Sequence, residues 1–278
     1  MWTIYYKSSK DMNEIPDNTT QLIITSPPYW NIMKYSEQTE QVGRQQPYEN
    51  YLQELNQVWM DCARILVPNG KLCVNTSIIP ISPKSLGKRC RKTIPTDIEK
   101  EILGKTNLEF YDLYIWDKGY FLFGNQHLMF GSYPYPPNMI CRLDYEFIYV
   151  FVKPGDPISR TLEVKQKSEL SKKEWVEFTK GVWRVSPEKD PSKGHLAPFP
   201  LEVPYRLTKM FSFWGDLVVD PFAGRATVLK AAEFLGRNST GYEIARNYKE
   251  MIDAYMKSAK AEEELLEIGK KYGAKKAQ

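Results

Sequence analysis

The residues best suited to chemistry follow predicted buried strands. In LIITSPPYWN, residues 22–31, apolar and β-branched residues lead into Ser26, two prolines and two aromatic side chains. Because proline has no N–H and a fixed φ, Pro27 and Pro28 hold the backbone carbonyls of this corner in set directions. A polar hydroxyl, backbone carbonyls in set directions and two aromatic rings therefore lie together at the end of a predicted buried strand.

The second such strand end is LVVDPFAGRAT, residues 217–227. A hydrophobic strand ends at Asp220, a tight turn contains Gly224, and Thr227 can cap the helix that follows. In nucleotide-binding α/β folds, this junction brings backbone N–H groups and a helix N-terminus beside the ligand. Glu243 follows about twenty residues later, the spacing at which an acidic residue accepts hydrogen bonds from ribose hydroxyls. An ordinary turn followed by a surface glutamate is the alternative, because a dinucleotide fingerprint contains more glycines.

Alternating strand and helix patterns predict the elements that position these two strand ends. Strands are predicted at residues 3–6, 21–25, 71–76, 109–117, 145–152, 216–220 and 239–244. Helices are predicted at residues 48–66, 200–214 and 246–270, and from the glycine turn to residue 235, where Gly236 ends the helix. Pro68-Asn69-Gly70 should end the first helix, and residues 80–108 should form a loop with a short helix. This order predicts an α/β fold with a doubly wound, mostly parallel sheet and helices on both faces.

Length and composition fit a soluble globular protein. The 278 residues are 42% hydrophobic and 13% aromatic, which is enough for a substantial core. No apolar run approaches the roughly 18–20 residues of a membrane helix, and the first residues lack the pattern of a signal peptide. We therefore expect a cytoplasmic protein that does not associate with a membrane. The four cysteines and two histidines show no metal-ligand spacing, which predicts reduced thiols and no metal site.

The charge balance is slightly basic, with a formal net charge of +4. The basic residues concentrate in KSLGKRCRK, a segment without acidic residues. They are Lys84, Lys88, Arg89, Arg91 and Lys92. Such a run is either a solvated loop or a surface that neutralises phosphates, and both interpretations stay open.

Together the motifs resemble the β-class, permuted, S-adenosylmethionine-dependent amino-group DNA methyltransferases. These enzymes transfer the methyl group of S-adenosylmethionine (AdoMet) to an exocyclic nitrogen of cytosine or adenine. TSPPY resembles their catalytic motif and DPFAGRAT their cofactor motif, while residues 144–155 and 194–207 resemble further segments of the class. The motif order, with the catalytic motif first, matches the β arrangement. The resemblance implies a Rossmann-like methyltransferase fold and a single catalytic domain over residues 1–278.

The resemblance also implies a role for each motif residue. The implied catalytic residues are Ser26, Pro27, Pro28 and Tyr29. The Ser26 hydroxyl and the Pro27 carbonyl would accept hydrogen bonds from the target amine, and Tyr29 would stack on a base taken out of the duplex. The implied cofactor-binding residues are Ser8, Thr25, Asp220, Pro221, Phe222, Ala223, Gly224, Glu243, His195, Ala197, Pro198 and Phe199. Asp220 would lie near the methionine moiety, and Glu243 would hold the ribose hydroxyls.

Two positions depart from the family pattern. Arg225 and Ala226 follow Gly224, where the family commonly has a small residue, then glycine and threonine. Ser8 stands where an acidic residue is common. An arginine beside a cationic sulfonium would weaken cofactor binding unless it points outward. These departures motivate an alternative in which the protein binds nucleic acid but has lost catalysis.

The first residue of the catalytic motif bears on the target base. Serine at position 26 is typical of the cytosine-N4 enzymes, whereas aspartate is more usual in the adenine-N6 enzymes of the class. The sequence therefore favours N4-cytosine in double-stranded DNA, with N6-adenine as the alternative. We further expect target recognition by residues 153–193, with the basic loop 80–108 second, a cognate restriction endonuclease in the same system, and a homodimer.

Overall fold

The computed structural model describes residues 1–30, 47–81, 90–119, 133–139, 141–187 and 200–274. Runs rich in β-branched and aromatic residues form most of the strands. They are β1 (Trp2–Tyr5), β2 (Thr20–Thr25), β3 (Leu66–Thr76), β4 (Ile79–Ile81), β5 (Cys90–Lys92), β6 (Glu109–Asp117), β7 (Tyr145–Val152), β8 (Val182–Arg184), β9 (Leu217–Asp220) and β10 (Asn238–Tyr242). One eight-stranded sheet has the order β1-β10-β9-β2-β3-β7-β6-β8, while β4 and β5 pair with each other.

Most neighbours in the large sheet run parallel. From β1 through β10, β9 and β2 to β3, each strand is parallel to the next. β7 is antiparallel to β3 and β6, and β8 is parallel to β6. One edge of the sheet, called here the carboxyl edge, therefore holds the strand ends Tyr5, Tyr242, Asp220, Thr25, Thr76 and Asp117 together with Tyr145 at the start of β7. The predicted doubly wound, mostly parallel sheet is confirmed.

Helices cover both faces of this sheet. They are α1 (Tyr48–Ile65), α2 (Ile94–Lys105), α3 (Leu162–Lys167), α4 (Lys172–Phe178), α5 (Glu202–Phe211), α6 (Thr227–Phe234), α7 (Lys249–Met256) and α8 (Ala259–Lys271). One core packs Leu55 and Trp59 of α1 and Ile98 of α2 against the sheet. The core on the other face contains Leu207 of α5 and Leu229 of α6. No helix in the described ranges is long and apolar enough to cross a membrane.

Local structure differs from the sequence prediction at several places. α1 ends at Ile65 and leads directly into β3, so Pro68-Asn69-Gly70 lies inside a strand, where the pairing of β3 with β2 shifts register. The predicted helix 246–270 is divided, because the Ser258 hydroxyl accepts a hydrogen bond from the Ala261 N–H and starts α8 as a separate helix. Residues 80–108 include the twelve-residue helix α2, longer than the short helix expected there.

The predicted end of α6 at Gly236 is confirmed. Gly236 has φ +76°, and its N–H donates to the carbonyl of Glu233 at 2.9 Å. A Cβ at this position would lie 2.4 Å from Cδ1 of Trp214. This position therefore requires glycine for two reasons: the backbone is left-handed, and the Trp214 indole leaves no room for a side chain.

We expect Gly236→Ala to lower the free energy of unfolding by about 2–4 kcal/mol, because the left-handed backbone and the indole clash add. Gly181→Ala is the matched control, since a Cβ there meets nothing within 4 Å. Urea denaturation of both variants measures the difference. Equal stability of the two variants would contradict this account of the helix end.

Candidate active site

The two chemically interesting strand ends meet at the carboxyl edge. β2 and β9 are neighbours, with Leu22 opposite Val218 and Ile23 opposite Val219. The Thr25 hydroxyl donates to Oδ1 of Asp220 at 2.9 Å, although these residues are 195 positions apart. Both side chains are buried. The serine-proline corner and the glycine turn therefore leave the sheet at the same point, as expected from a doubly wound topology.

Backbone hydrogen bonds hold the turn after β9. The Phe222 N–H donates to Oδ1 of Asp220 at 3.0 Å, and the Ala223 N–H donates to the Tyr242 carbonyl at 2.9 Å. Gly224 and Ala226 have φ values of +51° and +68°. The prediction that Thr227 caps α6 is wrong. Ala226, in a left-handed conformation, precedes the helix without a side-chain cap, and Thr227 is its first residue.

Gly241 lets this turn lie directly on β10. A Cβ there would be 2.8 Å from Cβ of Ala223 and 2.9 Å from Cδ1 of Ile4. Such distances are too short for two carbon atoms, so any side chain at this position would displace the turn or the edge strand. The close approach explains a glycine in a strand that is otherwise well packed.

Glu243 connects the turn to the end of β10. Its Oε2 accepts a hydrogen bond from the Gly224 N–H at 2.9 Å, and its Oε1 accepts one from the Ala245 N–H at 2.7 Å. Burial raises the pKa of Glu243 to about 7, against the lowering effect of these N–H groups. Burial likewise raises the pKa of Asp220 to about 7. The site thus holds two carboxyl groups that titrate near neutrality.

Ser8 and Arg225 are the two departures from the family pattern, and Arg225 is part of this turn. Ser8 follows β1, whose Tyr5 carbonyl accepts from the Glu243 N–H at 3.0 Å, so Ser8 belongs to the same edge. Arg225 is buried, and its guanidinium carbon lies 4.4 Å from the centroid of the Tyr255 ring in α7. Its charge is therefore held against an aromatic face of a helix.

The corner after β2 is held by side chains from β3 and β7. Nδ2 of Asn75 lies 3.4 Å from Oγ of Ser26, and the Tyr29 hydroxyl donates to Oε2 of Glu146 at 3.1 Å. Asn75 Nδ2 also donates to Glu146. Trp30 packs edge-on against Tyr48 with the ring centroids 5.1 Å apart, which supports a packing role for this indole.

Three further residues of the corner were not predicted from the sequence: Asn75, Glu146 and Lys118. Glu146 is the one acidic residue within the apolar run YEFIYVFV, and Asn75 is the polar residue near the end of CVNT. A buried polar residue inside a strand pattern is the signal that could have identified both. Their partners could not be read from the pattern, because the antiparallel entry of β7 brings Glu146 to the carboxyl edge.

Seven predicted site residues lie outside the described residues. They are Lys84, Lys88, Arg89, His195, Ala197, Pro198 and Phe199. Of the basic segment, Arg91 hydrogen-bonds to the carbonyl of Cys141, and Nζ of Lys92 lies 3.7 Å from the centroid of the Tyr48 ring. DNA contact by these two residues stays a prediction. Among the described residues, no cluster of histidine, cysteine, aspartate and glutamate could hold a metal ion.

The doubly wound sheet, with an aspartate turn and a serine-proline corner at adjacent strand ends, defines a Rossmann-like methyltransferase fold. A family model described as DNA methylase, of the N6 and N4 type, matches residues 20–254. The chain belongs to this family.

Individual relatives agree with this membership. The Type II methyltransferase M.MthZI of Methanothermobacter thermautotrophicus is 30% identical over 275 residues, which cover 90% of this chain and 75% of that protein. TTHA0409 of Thermus thermophilus, in complex with S-adenosyl-L-methionine, superposes with a TM-score of 0.75 at 28% identity, covering 92% of this chain and 93% of that one. The cytosine-N4-specific PvuII DNA methyltransferase has a TM-score of 0.68 at 16% identity, covering 98% and 92% of the chains, and shares the fold.

Proposed function

We propose that this protein transfers the methyl group of AdoMet to the N4 amine of cytosine in a short double-stranded DNA sequence. The observation that carries the proposal is the hydrogen bond between Thr25 and Asp220, which joins the serine-proline corner to the glycine turn. One loop would hold the methyl donor and the other the acceptor base.

The residues of the turn fit the chemistry of AdoMet. Glu243 accepts hydrogen bonds from the backbone N–H groups of Gly224 and Ala245 through different oxygens, and a carboxylate has about four acceptor positions in all. We infer that it also accepts from the ribose hydroxyls. The Asp220 carboxylate would oppose the positive charge of the methionine moiety, while Pro221, Phe222, Ala223 and Gly224 would form the wall of the site. The likeness to TTHA0409, which is complexed with S-adenosyl-L-methionine, supports this assignment.

When bound, AdoMet supplies an electrophilic methyl group on a positively charged sulfur. The serine-proline corner would bind the amine of the target base, which accepts the methyl group. An exocyclic amine conjugated to its ring is a poor nucleophile, and its nitrogen becomes pyramidal and positively charged as it reacts. Acceptors held at the amine, the Ser26 hydroxyl and the Pro27 carbonyl, therefore stabilise the transition state more than the ground state. The proton can leave after transfer, so the reaction requires no strong general base.

The aromatic part of the corner would receive the base. A base inside a duplex cannot reach the donor, so it must swing out of the stack and lie against an aromatic face. The Tyr29 hydroxyl donates to Glu146, and this bond orients the ring that would stack on the base. Pro28 restricts the backbone between Ser26 and Tyr29, which keeps the hydrogen-bonding and stacking groups at a fixed separation.

The choice of N4-cytosine rests on Ser26. Serine is the residue typical of cytosine-N4 enzymes at the first position of this motif, whereas the N6-adenine enzymes of the class more often carry aspartate. Pairing with a restriction endonuclease is part of the proposal, supported by Type II methyltransferases such as M.MthZI among the relatives.

DNA recognition is assigned within the single catalytic domain to residues 153–193, with the basic loop 80–108 second. In its described part, the first of these segments forms α3, α4 and β8 and exposes 64% of the surface of Trp175. We also propose that Ser8 contributes to the cofactor site, that the protein is cytoplasmic, and that it forms a homodimer.

The proposal is tested by incubating the purified full chain with tritiated AdoMet and amplified, unmodified DNA of high sequence complexity. The DNA is then digested to nucleosides, and the labelled base is identified by mass spectrometry. N4-methylcytosine is expected. N6-methyladenine would overturn the base assignment within the same family, and AdoMet binding without any label in DNA would overturn the enzymatic proposal.

A further inference from the structure

A buried carboxylate lies directly behind the corner formed by Ser26 and Tyr29. Glu146 follows the first residue of β7, and the antiparallel entry of that strand brings it to the carboxyl edge. Its side chain is 10% exposed and forms an ion pair with Lys118, whose side chain is 14% exposed. Burying two charges costs free energy even when they are paired. The pair is therefore a candidate for a functional role in addition to packing.

Two of the three hydrogen-bond partners of Glu146 connect it to the predicted base site. Its Oε2 accepts hydrogen bonds from the Tyr29 hydroxyl and from Nδ2 of Asn75, while its Oε1 pairs with Lys118. Asn75 Nδ2 also lies within hydrogen-bond reach of the Ser26 oxygen, at 3.4 Å. One carboxylate thus connects, directly or through one amide, to both side chains that would handle the base.

The carboxylate also decides how the Asn75 amide is turned. An ionised carboxylate only accepts hydrogen bonds, so it favours the amide nitrogen of Asn75 on its side and disfavours the amide oxygen. The same nitrogen then faces Ser26 and donates to its oxygen. With the amide reversed, its oxygen would repel Glu146, and Asn75 would no longer donate to the Ser26 oxygen. Oδ1 of Asn75 is buried without a hydrogen-bond partner among the described residues, so its own environment does not fix the amide.

We propose that Glu146 is a positioning residue that fixes the Tyr29 ring through its hydroxyl and the Ser26 hydroxyl through the Asn75 amide, with Lys118 as its counter-ion. The proposal rests on the proposed function, because it assigns a role in preparing the acceptor base. The hydrogen-bond partners of Glu146 are Tyr29, Asn75 and Lys118, and none of them belongs to the turn after β9. Glu146 is therefore not assigned a contact with the reacting atoms. It acts by holding two groups ready before the base enters.

The test compares Glu146→Gln with Glu146→Gln/Lys118→Met in the full chain. In the single variant, Lys118 can only donate and favours the glutamine oxygen on its side, so the glutamine nitrogen faces Tyr29 and Asn75. That nitrogen cannot accept the two hydrogen bonds that the carboxylate accepts, and it favours the reversed Asn75 amide, which no longer donates to Ser26. We expect the single-turnover rate of DNA methylation to fall by roughly 10- to 100-fold, the effect of misplacing reacting groups by about 1 Å. AdoMet affinity, measured by calorimetry, should stay unchanged, because Glu146 contacts no residue of the turn.

The double variant separates orientation from charge. With methionine at position 118, the glutamine nitrogen can face an uncharged side chain while its oxygen accepts from Tyr29 and Asn75. We expect the double variant to recover most of the lost rate. Failure of the double variant to recover would overturn the positioning role, because it would show that the carboxylate charge itself is required.

A second comparison distinguishes positioning from general stability. Tyr29→Phe removes one of the groups that Glu146 holds, so Glu146→Gln should cost less in the Tyr29→Phe background than alone. Asp61→Asn is the matched control: it replaces a mostly buried, ion-paired carboxylate on α1 by an amide. Asp61 pairs with Arg64 and accepts from the Met12 N–H, with no hydrogen bond to the corner, so this variant should keep the rate.

The two proposals fail in different ways. If the wild-type protein labels no DNA, the proposed function is wrong. If the wild type labels DNA and Glu146→Gln matches its single-turnover rate, the function stands and the role of Glu146 is overturned. The same conclusion follows if the effects of Glu146→Gln and Tyr29→Phe on that rate are additive.

Discussion

Ser26→Ala is expected to lower the rate of DNA methylation by at least about a hundredfold while AdoMet and DNA still bind, because removing one preorganised transition-state partner costs about 10²–10³ in rate. The Ser26 hydroxyl is the acceptor assigned to the amine as its nitrogen gains positive charge. It is only partly buried and its contact with Asn75 is long, so the substitution costs little stability. Single-turnover transfer of tritium from AdoMet to DNA measures the effect.

Ser258→Ala is the control for this variant. It also removes a serine hydroxyl, but from the start of α8, where the oxygen accepts from the Ala261 N–H. It should lower stability by about 1 kcal/mol, the usual value of such a cap, and leave methylation unchanged. If Ser26→Ala retained the wild-type rate with intact AdoMet binding, Ser26 would not be the amine acceptor.

AdoMet affinity is expected to fall by about ten- to a hundredfold as pH decreases from about 8 to about 6, because two carboxyl groups of the turn titrate in this range. Burial raises the pKa of both Asp220 and Glu243 to about 7 in the cofactor-free protein. Their ionised forms would attract the sulfonium and accept from ribose hydroxyls. At lower pH both carboxyl groups are protonated in the free protein. AdoMet binding must then release these protons, so its affinity falls. Calorimetry across this range measures the dissociation constant and the proton release.

Two variants and one stability measurement test whether Asp220 and Glu243 belong to the AdoMet site. Glu243→Gln should bind AdoMet more weakly and show a shallower pH dependence, since glutamine does not titrate, and Asp220→Asn should act in the same direction. Without AdoMet, raised carboxyl pKa values mean that the folded protein holds protons that the unfolded chain releases. These groups should therefore lower stability as pH rises from about 4 to about 7. An AdoMet affinity independent of pH would contradict their place in the cofactor site.

The sequence predicted the parts of the site that are local in the chain. The run ending at Thr25 and the run ending at Asp220 each combine a buried strand with a distinctive loop, so their strand ends could be assigned without a structure. That these ends meet followed from topology, because parallel strands share a carboxyl edge. The helix end at Gly236 followed from the conformational freedom of glycine.

The parts that were missed depend on contacts between distant segments. Glu146 reaches the corner because β7 enters the sheet antiparallel between β3 and β6, a pairing that its own apolar pattern does not encode. Pro68-Asn69-Gly70 looks like a turn, but β3 pairs with β2 on both sides of it, at Leu66 and again at Lys71. Asn69 and Gly70 also exchange backbone hydrogen bonds with Lys153, the residue after β7. Arg225 was expected to weaken cofactor binding unless it points outward, and its contact with Tyr255 in α7 could be seen only in the three-dimensional structure.

The most direct test is a crystal structure of the full chain with a non-reactive AdoMet analogue and a duplex that contains the mapped target site. We expect the analogue on the Asp220 turn, the target cytosine against Tyr29, and about 3–3.5 Å between the amine nitrogen and the group that replaces the sulfonium methyl. An analogue bound away from that turn, or a flipped base too far from it for the two atoms to touch, would contradict this expectation.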